Sequence, residues 1–201
     1  DGTMYIVDMY HGIIQEGEWA QKGTYLRAKI EQYKLDTAIG YGRIWRLTYN
    51  GMDRDKTKPT MFQDTPAKLV TYLSHPNGWW RDTAQQQLVL RQNKSVVPAL
   101  KTMATSNPNK LARIHAAWTL EGLNSLDAGL VRGFIKDSDP QLRQQGLRLS
   151  EILYKGGDTS FTDDIKAATK DADVNVQIQA LLTANYLKFA DAADIAKAMQ
   201  A

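Results

Sequence analysis

Apolar and polar positions follow two different periods along this 201-residue chain. In residues 1–50 the period is short. Met4-Tyr5-Ile6-Val7-Asp8 is apolar at successive positions, which predicts a strand that expects cover on both faces. Arg43-Ile44-Trp45-Arg46-Leu47-Thr48-Tyr49 alternates and is rich in strand formers, with Gly40 and Gly42 as turn residues before it. Between them, residues 25–35 (YLRAKIEQYKL) space Leu26, Ile30 and Tyr33 as one side of a short helix. Two strands and a short helix do not make an independently stable sheet. This part therefore expects partner strands, and Asp1-Gly2 reads as a turn leading out of them.

Residues 51–63 (GMDRDKTKPTMFQ) form a polar connector and the expected domain boundary. From residue 64 onward the period is helical, and it repeats. Arg81, Arg113, Arg143 and Gln177 stand 32, 30 and 34 residues apart. Three residues after each comes Ala84, Ala116, Gly146 or Ala180, and one residue before comes Trp80, Ala112, Leu142 or Val176. A small residue at a fixed place lets neighbouring helices approach closely, which a stack of helical hairpins requires. Thr65-Pro66, Asn107-Pro108 and Asp139-Pro140 each read as a capping side chain before a proline at the first helical position. Ser95 and Ser160 read as caps of the intervening helices, the latter with Asp163 three residues on. The expected hairpins are 65–75 with 78–92, 95–105 with 108–123, 127–137 with 140–155, and 160–171 with 173–188, followed by a half-repeat at 191–201. The Asp-Pro-x-Leu-Arg start resembles HEAT-like repeats, and the Trp…Leu-Gly…Tyr pattern of tetratricopeptide repeats is missing. The fold expected is mostly α: a HEAT-like α–α superhelix, a right-handed solenoid over 64–201, with a small N-terminal β segment. The last hairpin lacks both a second helix and a polar capping face, so the chain reads as continuing beyond residue 201.

Composition narrows the chemistry. The chain has no cysteine, which removes disulfides, thiolate metal sites, a cysteine nucleophile and haem attachment through a Cys-x-x-Cys-His motif within this stretch. A net charge of +3 from 25 basic and 22 acidic residues is no nucleic-acid footprint. No apolar run approaches the ~18 residues needed to span a bilayer. There is no Gly-rich phosphate loop, Ser-His-Asp spacing or zinc signature, and 157–164 (GDTSFTDD) lacks calcium-loop spacing.

Five stretches together carry a resemblance: DGTMYIVDMYHGIIQ, YLRAKIEQYKLD, GYGRIWRL, LSHPNGWWRDTAQQQL and ARIHAAWTLEGL. They resemble a family of membrane-bound dehydrogenases whose propeller is similar to the soluble glucose and sorbosone dehydrogenases. In that family a six-bladed β-propeller precedes HEAT-like repeats and, in many members, a c-type cytochrome domain. The resemblance implies that residues 1–50 are the closing strands of a propeller whose earlier blades precede Asp1, and that any haem domain follows Ala201. It implies an extracytoplasmic location and, for the parent protein, a quinone cofactor (PQQ) with calcium. None of these groups is expected within this chain, where no Cys-x-x-Cys-His occurs. The partners expected are a protein or the missing blades, with no nucleic acid and no transmembrane segment.

Each candidate residue carries two readings. Asp8 and His11, at the end of the first strand, read either as a catalytic pair near the propeller funnel or as a turn held by its own backbone. Arg43, with Arg46 beside Trp45, reads as an anion contact to a cofactor carboxylate or as a solvated strand face. Trp79, Trp80 and Arg81 read as a recognition hot spot or as packing at the end of the first repeat. Arg81, Arg113 and Arg143 read as a basic stripe for a partner or as a ladder in which each arginine reaches an acidic or carbonyl group of the next hairpin. His115, on a face with Leu111 and Trp118, reads as a hydrogen-bonded core residue, since no metal partner stands one turn away. Two functions follow. One is part of a dehydrogenase-like propeller protein whose repeats position it against a redox partner; the other is a helical-repeat binding scaffold without catalysis.

Overall fold

The computed structural model describes residues 2–13 and 17–198. Asp1, half of the expected opening turn, and residues 199–201, the end of the expected half-repeat, lie outside the described residues. The chain divides into two units, Asp1–Pro59 and Thr60–Ala201.

In the first unit, β1 (Met4–Asp8) pairs antiparallel with β2 (Arg43–Leu47), in register from Met4 opposite Leu47 to Asp8 opposite Arg43. Directly opposed residues share a face. One face therefore carries Met4, Ile6, Asp8, Arg43, Trp45 and Leu47, and the other carries Tyr5, Val7, Ile44 and Arg46. Large apolar side chains on both faces are exposed, and among the described residues each strand has a single neighbour. The helix α1 (Tyr25–Tyr33) begins where Thr24 accepts from the Arg27 N–H and ends at Lys34 in the left-handed region, with Ile30 buried. His11-Gly12 makes the corner after β1. The Gly12 N–H donates to the Ala38 carbonyl at 3.2 Å. A Cβ at residue 12 would lie 1.9 Å from the Leu35 oxygen, so only glycine fits there.

The second unit is all helix: α2 (Pro66–Tyr72), α3 (Gly78–Arg91), α4 (Val97–Ser106), α5 (Lys110–Gly122), α6 (Ala128–Ile135), α7 (Pro140–Lys155), α8 (Thr162–Ala168), α9 (Val174–Tyr186) and α10 (Ala192–Ala198). The pairs α2–α3, α4–α5, α6–α7 and α8–α9 pack as hairpins. The longer helices α3, α5, α7 and α9 pack each on the next, the shorter α4, α6 and α8 do likewise, and α10 lies against α9. The chain as described is thus mostly helical with a small antiparallel sheet. One core runs between the layers, from Leu69 and Leu73 through Leu100, Leu120, Phe134 and Leu147 to Phe161 and Ile165. The small residues of the repeat register sit within it. A Cβ on Gly146 would meet the Ile135 backbone nitrogen at 2.5 Å, so α7 approaches α6 more closely than any side chain allows.

Thr65 and Asp139 cap their helices ahead of a proline, accepting from Lys68 and Gln141 respectively. The other three expected caps are displaced. Asn107 ends α4 and accepts from the Asn109 N–H, and Asn109 is the residue that caps α5. Asn93 and Asp158 take the roles expected of Ser95 and Ser160, each accepting from the N–H of that serine to start a short 3-10 turn ahead of α4 and α8. An amide or carboxylate two residues upstream reaches the orphan N–H more readily than the serine hydroxyl, and the extra turn shifts the helix start.

The connector is shorter than residues 51–63. Met61 is buried, and the Arg91 guanidinium donates to the carbonyls of Asp64 at 2.5 Å, Met61 at 2.7 Å and Phe62 at 3.0 Å. Residues 60–64 belong to the helical unit.

Candidate functional site

The register of β1 and β2 gathers the first unit's polar chemistry at one end of the strand pair. Asp8 and Arg43 face each other across the ladder, Nη1 to Oδ2 at 3.6 Å. Trp45, two residues along on the same face, donates its indole N–H to the same Asp8 oxygen at 2.9 Å. The Arg43 guanidinium lies 5.5 Å from the centre of the Tyr10 ring and 5.4 Å from that of Trp45. Tyr10 meets Tyr41 edge to face at 5.8 Å. The arginine is thus held against two ring faces, with a carboxylate fixing its position.

His11 belongs to the adjoining corner. Its Nδ1 accepts from the Ile13 N–H at 3.3 Å, which leaves the proton of the neutral ring on Nε2. With Met9, Tyr10, Ile13, Gly40 and Gly42 it lines an open cavity of about 380 Å³. Asp8 is engaged by Trp45 and Arg43, and His11 by the backbone of its own turn. On the other face, the Tyr5 phenol is held below its usual value, first by a hydrogen bond with Thr3 and further by Arg46 opposite it.

Calcium takes six to eight oxygen ligands. Asp8 offers one carboxylate, already engaged, and among the described residues no group of three or more His, Cys, Asp or Glu is placed to hold a metal ion. A quinone carboxylate would find Arg43, but that guanidinium is committed to Asp8 and two rings.

The candidates of the second unit, Trp79 excepted, are engaged within the fold. Trp80 is 5% exposed, stacks on His75 at 4.8 Å and meets Tyr72 edge-on at 5.2 Å, so it is no surface hot spot. Trp79 is 54% exposed, edge-on to Trp80. Arg113 donates to the Ala104 carbonyl at 2.9 Å and pairs with Asp137 at 2.7 Å; Arg143 holds Asp171 through two nitrogens. Arg81 donates to the His75 and Pro76 carbonyls at 2.6 and 2.8 Å, and its buried Nε has no hydrogen-bond partner among the described residues. Gln177 donates to the Asp171 carbonyl at 2.6 Å. His115 accepts or donates at Nδ1 to Gln85 at 2.7 Å, and burial pushes its basicity below the ordinary value.

The arginines act on a motif that the sequence reading passed over. His75, Asn107, Asp137 and Asp171 each accept, through the side chain, from the N–H two residues on, at 2.8–3.0 Å. That second residue (Asn77, Asn109, Asp139 or Asp173) then caps the following helix. The visible signal was a pair of Asn or Asp residues with one residue between, six and four positions before Arg113, Arg143 and Gln177, with His75 and Asn77 in those places before Arg81. A parallel set of pairs links the shorter elements: Lys101 with Asp127, Arg132 with Asp164, and Lys166 with Asp191.

Residues 1–51 are similar to a domain of unknown function, DUF7133. The match spans β1, α1 and β2. No curated protein matches the chain. No helix among the described residues is long and apolar enough to cross a membrane.

Proposed function

We propose that residues 60–201 are a HEAT-like repeat scaffold, a right-handed α–α superhelix, and that residues 1–51 are a piece of a larger β structure, the closing strands of a glucose/sorbosone dehydrogenase-like propeller. The repeats then position a redox domain against its partner in the cell envelope, an electron acceptor such as a c-type cytochrome. The observation that carries the scaffold reading is the loop-and-register unit recurring at 32, 30 and 34 residues, with Arg113 and Arg143 each reaching the next loop. The β reading is supported by a strand pair with large apolar side chains exposed on both faces. Quinone and calcium chemistry, in this reading, belongs to the missing blades. The test is dye-linked oxidation of sugars and alcohols by the polypeptide with its flanking sequence, with and without PQQ and calcium. Quinone-dependent turnover is expected.

A second reading, a binding scaffold with no redox role, is favoured by one observation. The Asp8 carboxylate is engaged by Trp45 and Arg43 rather than held ready as a base. A full-length protein that binds no quinone and oxidises nothing leaves this reading alone.

A further inference from the structure

Two Asn-Gly steps occur in the chain, Asn50-Gly51 and Asn77-Gly78. Asparagine before glycine is the step most open to attack by the backbone on a side-chain amide, because the following nitrogen has no Cβ beside it. The fold gives the two steps opposite surroundings.

Asn50 and Gly51 are the central residues of a turn just beyond β2, closed by the Met52 N–H, which donates to the Tyr49 carbonyl at 3.1 Å. That bond leaves the Gly51 N–H outside it. Both residues are exposed, and the Asn50 amide has no hydrogen-bond partner among the described residues. Gly51 has a φ of +85°, and a Cβ there would meet no atom within 4 Å, so nothing packs against the step. Residues 52–60 beyond it form neither helix nor strand. Such a segment rotates about its backbone torsions at little cost.

Asn77 is tied from both sides. Its N–H donates to His75 Nδ1 at 3.0 Å, its Oδ1 accepts from the Trp79 N–H at 3.0 Å, and its carbonyl accepts from the Arg81 N–H at 3.4 Å. Gly78 is the first residue of α3, whose first turn also holds the buried Trp80. Bringing the Gly78 nitrogen onto the Asn77 side chain would release the cap and open that turn. Asn124-Ser125, the other asparagine before a small residue, is closed differently: the Ser125 N–H donates to the Leu120 carbonyl at 2.8 Å.

We propose that the fold leaves Asn50 as a site of spontaneous deamidation and isoaspartate formation, and closes Asn77 to it. The Gly51 nitrogen loses its proton and bonds to Cγ of Asn50. The Cγ–Nδ2 bond then breaks, and the amide nitrogen takes up a proton and leaves as ammonia. Water opens the resulting cyclic imide. Its addition at Cγ restores the ordinary backbone with an aspartyl side chain. Its addition at the α-carbonyl carbon leaves an isoaspartyl residue, in which the main chain runs through Cβ and Cγ. Either product places a new negative charge between β2 and the connector of a chain whose net charge is +3, and the isoaspartyl form lengthens the backbone there by a methylene.

Peptide mapping by mass spectrometry tests this on residues 1–201 held native at mildly alkaline pH, where the amide nitrogen loses its proton more readily. Conversion at position 50 is expected to run at least ~tenfold faster than at position 77. Fragmentation should identify isoaspartate at position 50, and the acidic form of the intact chain should be lost in Asn50→Gln. In urea both steps are expected to convert at similar rates, which separates the effect of the fold from that of neighbouring residues. Equal native rates at the two positions, or a position 50 that does not convert, overturn the proposal. A difference that persists in urea also overturns it, since neighbouring residues then set the rates.

Discussion

Arg143 and Asp171 meet through two parallel hydrogen bonds, Nε to Oδ2 at 2.8 Å and Nη2 to Oδ1 at 2.7 Å, across successive hairpins. Both side chains are only about one-seventh exposed, at 16% and 14%. The same arginine donates to the carbonyls of Asp137 and Ser138, so it ties two loops at once. Replacing Asp171 by Asn keeps the acceptor for the Asp173 N–H and removes the charge. A loss of ~2 kcal/mol is expected, read from the urea midpoint at unchanged slope. A midpoint within error of wild type would mean that the pair contributes nothing net.

Asn107 holds the position that Asp137 and Asp171 hold in later loops, and the register arginine one repeat before it, Arg81, has a buried Nε without a hydrogen-bond partner among the described residues. Asn107→Asp retains the turn and supplies a carboxylate. It is expected to stabilise the protein by ~1 kcal/mol, and the gain should vanish in an Arg81→Gln background, a cycle that isolates the pair. A gain that survives without Arg81 would assign it to the turn alone.

The Asp171 carboxyl is held below its ordinary 3.8 by the hydrogen bond from Arg143, with burial opposing. Its folded value lies below its unfolded value, so its contribution is present above about 3.8 and lost as pH falls through the folded value. His115 acts in another window. Burial lowers it from its ordinary 6.5, the nearby Asp82 opposes, and Arg81 adds to the lowering. The unfolded chain then takes up that proton first, and stability declines as pH falls from 6.5 toward the lower folded value. His115→Gln should flatten the wild-type curve of urea midpoint against pH in that upper window, while Asp171→Asn should leave it and reduce the acid loss. Parallel curves for wild type and His115→Gln would sink the assignment.

Gly146→Ala places a methyl group 2.5 Å from a backbone nitrogen of α6, where nothing yields by side-chain rotation. A destabilisation of ~1–3 kcal/mol is expected, seen as a lowered melting temperature. Ala at this site is otherwise the better helix former, so an unchanged or raised melting temperature would show that α6 and α7 separate freely.

Amide exchange should divide the chain. The β1–β2 ladder is a single strand pair with exposed faces, and such pairs open readily. Fast exchange is expected across the strands and protection from residue 65 onward; uniform protection would contradict it.

The helical register was legible because Arg, small and apolar residues recur at nearly fixed offsets, and packing punishes any slip. Helix starts were legible only in part. Proline at 66 and 140 marks the first turn, but Pro108 sits inside an Asx turn and the helix begins two residues later. Proline fixes φ in either setting, so sequence does not separate them. Both alternatives for the arginines were written into the register, and only the loop-to-loop distances choose between them for Arg113 and Arg143. At the strand end, alternation showed that Arg43 and Trp45 share a face. The pairing offset that brings Asp8 to that face is a tertiary fact with no local signature. The grip of Arg91 was invisible for a related reason: its partners are backbone carbonyls some thirty residues away, which any sequence provides.

That grip determines where the helical unit bears load. Tension arriving along the chain from residues before 60 meets the carbonyls of Met61, Phe62 and Asp64, all moored to one guanidinium, before it reaches α2. Arg91 stands at the far end of α3, so part of the pull is delivered to the first long helix before it reaches the short α2.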